Sequence, residues 1–178
     1  MRTAWTVAVA ALAIGAGAWL AAGALGEEGA GDGMPPMQKS IKDTPFAKAL
    51  LGTWTLTSKG ATGEGTGTAT FTLGVGDTAI LETYRNDMKT GEQSMSFHGH
   101  GIYKLSDDGK TCTCWWLDNM GPEPMKLTGP CDEKGATLTG DTPQGPMEVK
   151  IVKTADGYET RISSGGHEFM VDTLKRAK

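Results

Sequence analysis

The feature of this chain that most limits its fold is a two-residue alternation between polar and apolar side chains, which begins after residue 52. Between positions 66 and 73, threonine occupies every even position, while the odd positions carry Gly67, Ala69, Phe71 and Leu73. The alternation returns later in the chain, where its apolar positions include Met147, Val149, Ile151, Tyr158 and Ile162. Successive side chains of a strand point to opposite faces of a sheet, so the pattern predicts strands with one packed face and one solvent-facing face.

Turn signals separate the alternating segments and keep each of them short. Many of the 26 glycines stand between segments, as in Asp107-Asp108-Gly109-Lys110 and Asp156-Gly157. We predict about ten strands, near residues 53–59, 65–73, 78–86, 93–105, 111–119, 125–131, 136–141, 147–154, 157–163 and 167–175. Connections this short leave no room for crossover helices, so neighbouring strands must pair. We therefore predict an all-β fold, an antiparallel up-and-down meander closed into a barrel, with a sandwich as the alternative.

A short helix is predicted immediately before the first strand. Thr44 can cap it, Pro45 suits its first position, and Gly52 can take the left-handed conformation that ends a helix. Phe46 and Leu50 are four residues apart and give the helix one apolar side.

The first 26 residues predict export. One Arg is followed by an uncharged stretch over residues 3–26, and the small residues Ala22-Gly23-Ala24 fit a signal-peptidase site. The alternative is an uncleaved anchor in the inner membrane, because the apolar stretch is long enough to cross a bilayer. Residues 27–43 are rich in Gly, Pro, Met and charge, and are predicted to be a disordered linker. The barrel domain then occupies 44–178, in the periplasm or outside the cell.

Several segments of the barrel domain resemble one bacterial family. Leu51-Gly52-Thr53-Trp54, Phe97-His98-Gly99-His100-Gly101, Trp116-Leu117-Asp118-Asn119-Met120-Gly121 and Glu168-Phe169 are similar to the family called domain of unknown function 1579. The likeness covers nearly all of residues 46–176. It implies a lipocalin-like barrel, and Gly52-x-Trp54 is also similar to the lipocalin opening. No activity follows from this resemblance.

The hairpin around Asp108-Gly109 gives the candidate lumen. If these residues form the turn, residue 105 faces 112 and residue 99 faces 118. One strand face then carries Phe97, Tyr103, Cys112, Cys114, Trp116 and Asp118. We place this face inward, because glycines at 99 and 101 would make room for large rings. With Trp54 and Phe71 these aromatic residues would line a ligand site. Asp118 would be its polar contact, with Arg85 as a possible partner for that carboxylate.

Two histidines on the other face of the same hairpin form a candidate metal site. His98 and His100 lie about 7 Å apart along one strand face, and such a pair binds zinc or copper when a third ligand joins it. The sequence identifies no third ligand, so the alternative is two solvent-facing strand histidines. No cofactor is predicted.

Three cysteines would meet an oxidising compartment after export. Strand pairing around the loop that contains Pro122 and Pro124 brings Cys131 toward Cys114, so we predict a Cys114–Cys131 disulfide with Cys112 left as a buried thiol. A Cys-x-Cys redox pair or zinc clip is the alternative.

The function predicted from these features is binding. A net charge of −4 with scattered Lys and Arg argues against nucleic acid. The chain has no phosphate loop, nucleophile elbow or metalloprotease motif, which argues against an enzyme. We predict an exported barrel that binds a small apolar ligand. A structural or partner-binding cell-envelope domain with a filled core is the first alternative, and a metal-binding protein using the histidine pair is the second.

Overall fold

The computed structural model describes residues 38–178 apart from positions 62, 75 and 144. One helix, α1, spans Pro45–Leu50. Ten strands follow it: β1 Gly52–Gly60, β2 Gly63–Gly74, β3 Ala79–Thr90, β4 Gln93–Leu105, β5 Thr111–Asp118, β6 Met125–Asp132, β7 Gly135–Thr142, β8 Gly145–Lys153, β9 Gly157–Ser164 and β10 His167–Arg176. The predicted helix and all ten predicted strands are present, most with ends within two residues of the prediction; β3 extends four residues further.

The ten strands form one closed barrel. Each strand pairs antiparallel with its sequence neighbours, and β1 pairs with β10 to close the sheet. At this closing seam Leu56 faces Leu174 and Ser58 faces Asp172. The prediction of a closed antiparallel meander is confirmed, and closure leaves no strand with an unpaired edge.

Helix α1 and the first residues of β1 mark one end of the barrel, which we call the helix end. Thr44 caps α1, its hydroxyl accepting a hydrogen bond from the Ala47 amide at 3.3 Å. Leu50 is buried, and its carbonyl accepts a hydrogen bond from the Trp54 indole at 2.8 Å. The opposite end, which we call the far end, contains the turns after β1, β3, β5, β7 and β9.

The inner face of the barrel forms the hydrophobic core, and glycines give its large rings space. In the β4–β5 hairpin the register pairs Gly99 with Asp118 and Gly101 with Trp116, as the sequence predicts. A Cβ atom on Gly99 would lie 2.2 Å from the Trp116 ring. Glycine at this position is therefore what allows Trp116 to lie flat against the strand.

The predicted signal peptide or anchor, residues 1–26, and the linker up to residue 37 lie outside the described residues. Within the described part of the chain, no helix is long and apolar enough to cross a membrane.

Candidate functional site

Four buried polar side chains from three strands, β1, β3 and β10, meet inside the barrel, and we call them the Asp172 network. Ser58 and Tyr84 both donate hydrogen bonds to the Asp172 carboxylate, the second at 2.9 Å. The Asn86 amide group donates to the Ser58 hydroxyl at 2.7 Å and to the Tyr84 hydroxyl at 3.2 Å. Every donor therefore points toward the carboxylate, which is the arrangement that favours an ionised Asp172.

Burial opposes that ionisation. Asp172 is 2% exposed, and desolvation raises the pKa of its carboxyl group, while the bonds from Ser58 and Tyr84 act to lower it. Burial also raises the pKa of Tyr84, and the neighbouring Asp172 charge raises it further. Among the ion pairs of the described residues, none contains Asp172. The network therefore carries a buried carboxylate without a cation to balance it.

One acceptor of the network has no partner. The Oδ1 atom of Asn86 is fully buried and receives no hydrogen bond from the described part of the protein. It lies over Gly65 of β2, at the place where a Cβ atom would be. Native proteins rarely leave such an atom unsatisfied, so it marks a position where a donor is missing.

Three aromatic rings meet at the network, and one of them is the ring of Tyr84 itself. The Tyr84 ring meets the Phe97 and Trp116 rings edge to face, each at 5.7 Å between centroids, and those two rings stack on each other at 6.4 Å. Phe97 and Trp116 are only partly buried, as are Met147 and Val149 across the barrel. Solvent therefore reaches these inner-face side chains, whereas Ser58, Asn86 and Asp172 are buried.

A second buried carboxylate lies nearer the helix end. Glu82 accepts a hydrogen bond from the Tyr103 hydroxyl, and burial raises the Glu82 pKa to about 7, against the lowering effect of this bond. Burial also raises the pKa of the nearby Cys114 thiol, to about 12. The interior thus holds two acidic groups, Glu82 and Asp172, whose charges repel each other.

The predicted lumen residues all face inward, but they do not form one cluster. Trp54 lies at the helix end against Tyr158, at 5.3 Å between ring centroids. Phe71 and Tyr103 pack on each other at 6.2 Å. Phe97 and Trp116 belong to the separate far-end group described above.

Asp118 has a local role in the structure. Its carboxylate accepts hydrogen bonds from the Trp116 indole at 2.7 Å and from the backbone amides of Met120 and Gly121 at 2.8 Å and 3.1 Å. It therefore orients the Trp116 ring and shapes the turn after β5. Arg85, which the sequence offered as a partner, instead pairs with Asp87 at 3.6 Å, because odd-numbered side chains of β3 point outward.

The predicted metal ligands lie on the outer face. His98 and His100 are both exposed, and their neighbours in the sheet at the paired positions are Arg85 and Thr83 of β3 and Leu117 of β5. The described residues contain no group of three or more side chains suited to hold a metal ion. The histidine pair stays a prediction.

All three cysteines are free thiols, and the predicted Cys114–Cys131 disulfide is not formed. The Cys131 thiol donates a hydrogen bond to the Gly109 carbonyl at 3.6 Å and lies beside the Cys112 thiol, which donates to it. Cys131 does not reach Cys114 because of the β5–β6 register. Leu127 faces Cys114 and Gly129 faces Cys112, so Cys131 lies beyond Cys112 along the strand pair. Any disulfide in this barrel is therefore expected between Cys112 and Cys131.

The sequence interpretation missed all four residues of the Asp172 network, although β3 carries a usable signal. Asn86 stands on the same strand face as the buried residues Ile80, Tyr84 and Met88. A polar residue on the apolar side of an alternating strand is a candidate for a buried network.

The fold and the site define a class of protein, a closed ten-stranded meander barrel with a buried acidic network. No protein-family profile matches the chain, and no curated protein is similar enough to count as a relative. The likeness to domain of unknown function 1579 stays a prediction.

Proposed function

We propose that this protein binds a small, largely apolar molecule that enters the barrel at the far end and carries a hydrogen-bond donor to the Asp172 network. The observation that carries the proposal is the unpaired, fully buried Oδ1 atom of Asn86 next to a carboxylate that has no cation. A core that serves only stability gains little from such groups, since an unsatisfied buried polar atom costs about 1–3 kcal/mol.

The far-end rings suit the apolar part of the same molecule. Phe97, Trp116, Met147 and Val149 are partly exposed inner-face residues, and aromatic and aliphatic walls with few polar groups are typical of small-molecule sites. The ligand would rest on these side chains with its donor directed toward Asn86 Oδ1, beside the Asp172 carboxylate. We thus propose the Asp172 network as the polar contact in place of Asp118, whose carboxylate already accepts hydrogen bonds from the backbone of the turn that follows it.

A filled-core domain for structure or partner binding is the second candidate. The observation in its favour is the close packing of the interior rings on one another, at centroid distances of 5.3–6.4 Å. For either function we infer export to the periplasm or beyond, from the uncharged stretch near the N-terminus.

Two adjacent tryptophans provide a matched test of ligand entry. Trp116 points into the barrel, whereas Trp115 lies on the outer face, where Lys126 approaches its ring at 6.0 Å. The purified protein is titrated with N-phenyl-1-naphthylamine, a neutral apolar probe with one N–H donor. We expect saturable quenching of tryptophan emission that W116F largely removes and W115F leaves intact. No saturable quenching, or equal loss in both variants, would contradict entry at the far end.

Asp172→Asn tests the polar contact. The side chain keeps its shape, and we expect probe affinity to fall about tenfold, the usual effect of losing a hydrogen bond to a charged group. Asp107→Asn is the control with unchanged expected affinity, because Asp107 is exposed in the turn between β4 and β5 at the helix end. Far-UV circular dichroism checks that both variants keep the sheet. Unchanged affinity in the Asp172 variant would favour the filled-core function.

A further inference from the structure

A separate groove opens at the helix end of the barrel, on the opposite side from the proposed ligand entry. It has a volume of about 300 Å³ and lies between α1, the β8–β9 turn and the last residues of β10. Three basic side chains line it, those of Lys48, Lys153 and Arg176, against one acidic side chain, that of Asp156. The groove therefore has an excess of positive charge.

The guanidinium group of Arg176 is held in place at the groove. Its Cζ atom lies over the Trp54 ring at 4.2 Å from the ring centroid, and the group donates one hydrogen bond to the Leu51 carbonyl at 2.7 Å. Trp54 is itself fixed by its indole bond to Leu50. Because a guanidinium has five N–H donors in a rigid plane, this bond leaves donors free for a ligand without further ordering of the side chain.

The floor of the groove presents a second donor, which has no acceptor. Tyr158 is 3% exposed and packs its ring edge on Trp54, yet its hydroxyl forms no hydrogen bond to any described residue. Burial raises the Tyr158 pKa and the positive charge of Arg176 counteracts this, which agrees with the hydroxyl lying near the guanidinium. Asn86 Oδ1 is the one fully buried side-chain polar atom without a partner among the described residues, so the Tyr158 hydroxyl is reached from the groove and can donate to a molecule bound there.

Lys153 adds a mobile charge at the rim. Its side chain forms no ion pair within the described part of the chain, whereas Lys48 is already paired with Asp43 at 3.1 Å. Lys153 can therefore turn toward a bound anion. With Lys48 paired, Lys153 and Arg176 leave the groove one positive charge in excess over Asp156. The fixed donors are Arg176 and Tyr158.

We propose that this groove binds a small oxyanion, a carboxylate or a phosphate group, between the Arg176 guanidinium and the Tyr158 hydroxyl. An oxyanion supplies the acceptor that both donors lack, and guanidinium groups bind carboxylate and phosphate with two parallel bonds. The site is independent of the far-end site and of any ligand bound there.

Inorganic phosphate and acetate are the probes, each titrated into the full ¹⁵N-labelled protein while the Trp54 indole and Tyr158 amide signals are followed by NMR at constant ionic strength. We expect saturable shifts of these signals with at least one anion. The anion that binds more tightly tells which oxyanion the groove prefers. Absence of saturable shifts with both anions would overturn the proposal.

Tyr158→Phe removes only the hydroxyl and keeps the ring that packs on Trp54. We expect it to weaken anion binding about tenfold. Lys175→Gln is the matched control, because Lys175 is exposed and precedes Arg176 on the outer side of β10. Equal weakening by the two variants, or no weakening by Tyr158→Phe, would show that the anion responds to general charge and would refute the assigned site.

Discussion

The buried carboxyl of Glu82 predicts a stability that falls as the pH rises. Its pKa is raised from 4.5 to about 7 in the folded protein, chiefly by burial, so the folded state holds this proton more tightly than the unfolded chain does. The unfolding free energy therefore includes a contribution that is complete below pH 4.5 and is lost as the pH rises through 7. Asp172, whose pKa is also raised by burial, contributes in the same direction.

The magnitude follows from the two pKa values of Glu82. Each tenfold change in proton affinity corresponds to about 1.4 kcal/mol, so a rise from 4.5 to about 7 corresponds to about 3 kcal/mol. Glu82→Gln removes the titration and keeps an oxygen that can accept the hydrogen bond from Tyr103. We expect the fall in stability between pH 5 and pH 8 to be smaller in this variant by up to about 3 kcal/mol.

Urea unfolding followed by tryptophan fluorescence, repeated between pH 5 and pH 8.5, measures this difference. Glu64→Gln is the control, since the Glu64 side chain is 75% exposed and pairs only with the exposed Lys59. Its pH dependence should match that of the unsubstituted protein. If the unfolding free energies of Glu82→Gln and the unsubstituted protein depended on pH in the same way, the reasoning would be refuted. That result would mean that the Glu82 pKa is the same in the folded and the unfolded protein.

Two further predictions concern local packing and capping. Gly99→Ala places a methyl group where the Trp116 ring lies, and we expect about 1–3 kcal/mol of destabilisation in chemical unfolding. A Cβ atom at Gly121 would meet nothing within 4 Å, so Gly121→Ala should be as stable as the unsubstituted protein. Equal destabilisation by Gly99→Ala and Gly121→Ala would contradict the contact between residue 99 and the Trp116 ring. Thr44→Ala removes the cap that accepts from Ala47 and should lower stability by about 1 kcal/mol, while Thr44→Ser should restore it. A Ser variant as weak as the Ala variant would exclude capping as the cause.

The fold was predictable because its signals are local. Alternation identifies each strand, and a turn such as Asp108-Gly109 fixes the register of the hairpin around it, which the structure confirms from Gly99 to Leu105. Short connections then impose pairing between neighbours. The inward placement of Trp116 followed from the glycines opposite it, because only they leave space for the ring.

The Asp172 network was not predictable in the same way, because it joins three strands that are far apart in sequence. Ser58 and Asp172 are separated by 114 positions and meet only where β1 pairs with β10. That register depends on closure of the whole barrel, which no single hairpin determines. The position of Asp118 in the β4–β5 hairpin suggested a ligand contact. In the structure its carboxylate instead accepts hydrogen bonds from the turn after β5.

The cysteine pairing shows the limit of hairpin reasoning. Strand order correctly brings β5 beside β6, but the partner of Cys131 depends on how far the strands are offset. Gly129 faces Cys112, so Cys131 lies beyond it and contacts that thiol in preference to Cys114. Several residues between β5 and β6 are unpaired. The sequence alone does not show where β5 ends and β6 begins, so it does not fix the offset between the two strands.

The closure of the barrel around the Asp172 network is tested most directly by nuclear Overhauser contacts across the β1–β10 seam. In the labelled protein, the account predicts contacts between the backbones of Leu56 and Leu174, and between the Asn86 side-chain amide and Ser58. It also predicts slow exchange for backbone amides at the seam. Absence of these contacts, with seam amides exchanging as fast as those of an open strand edge, would contradict both the closed barrel and the site within it.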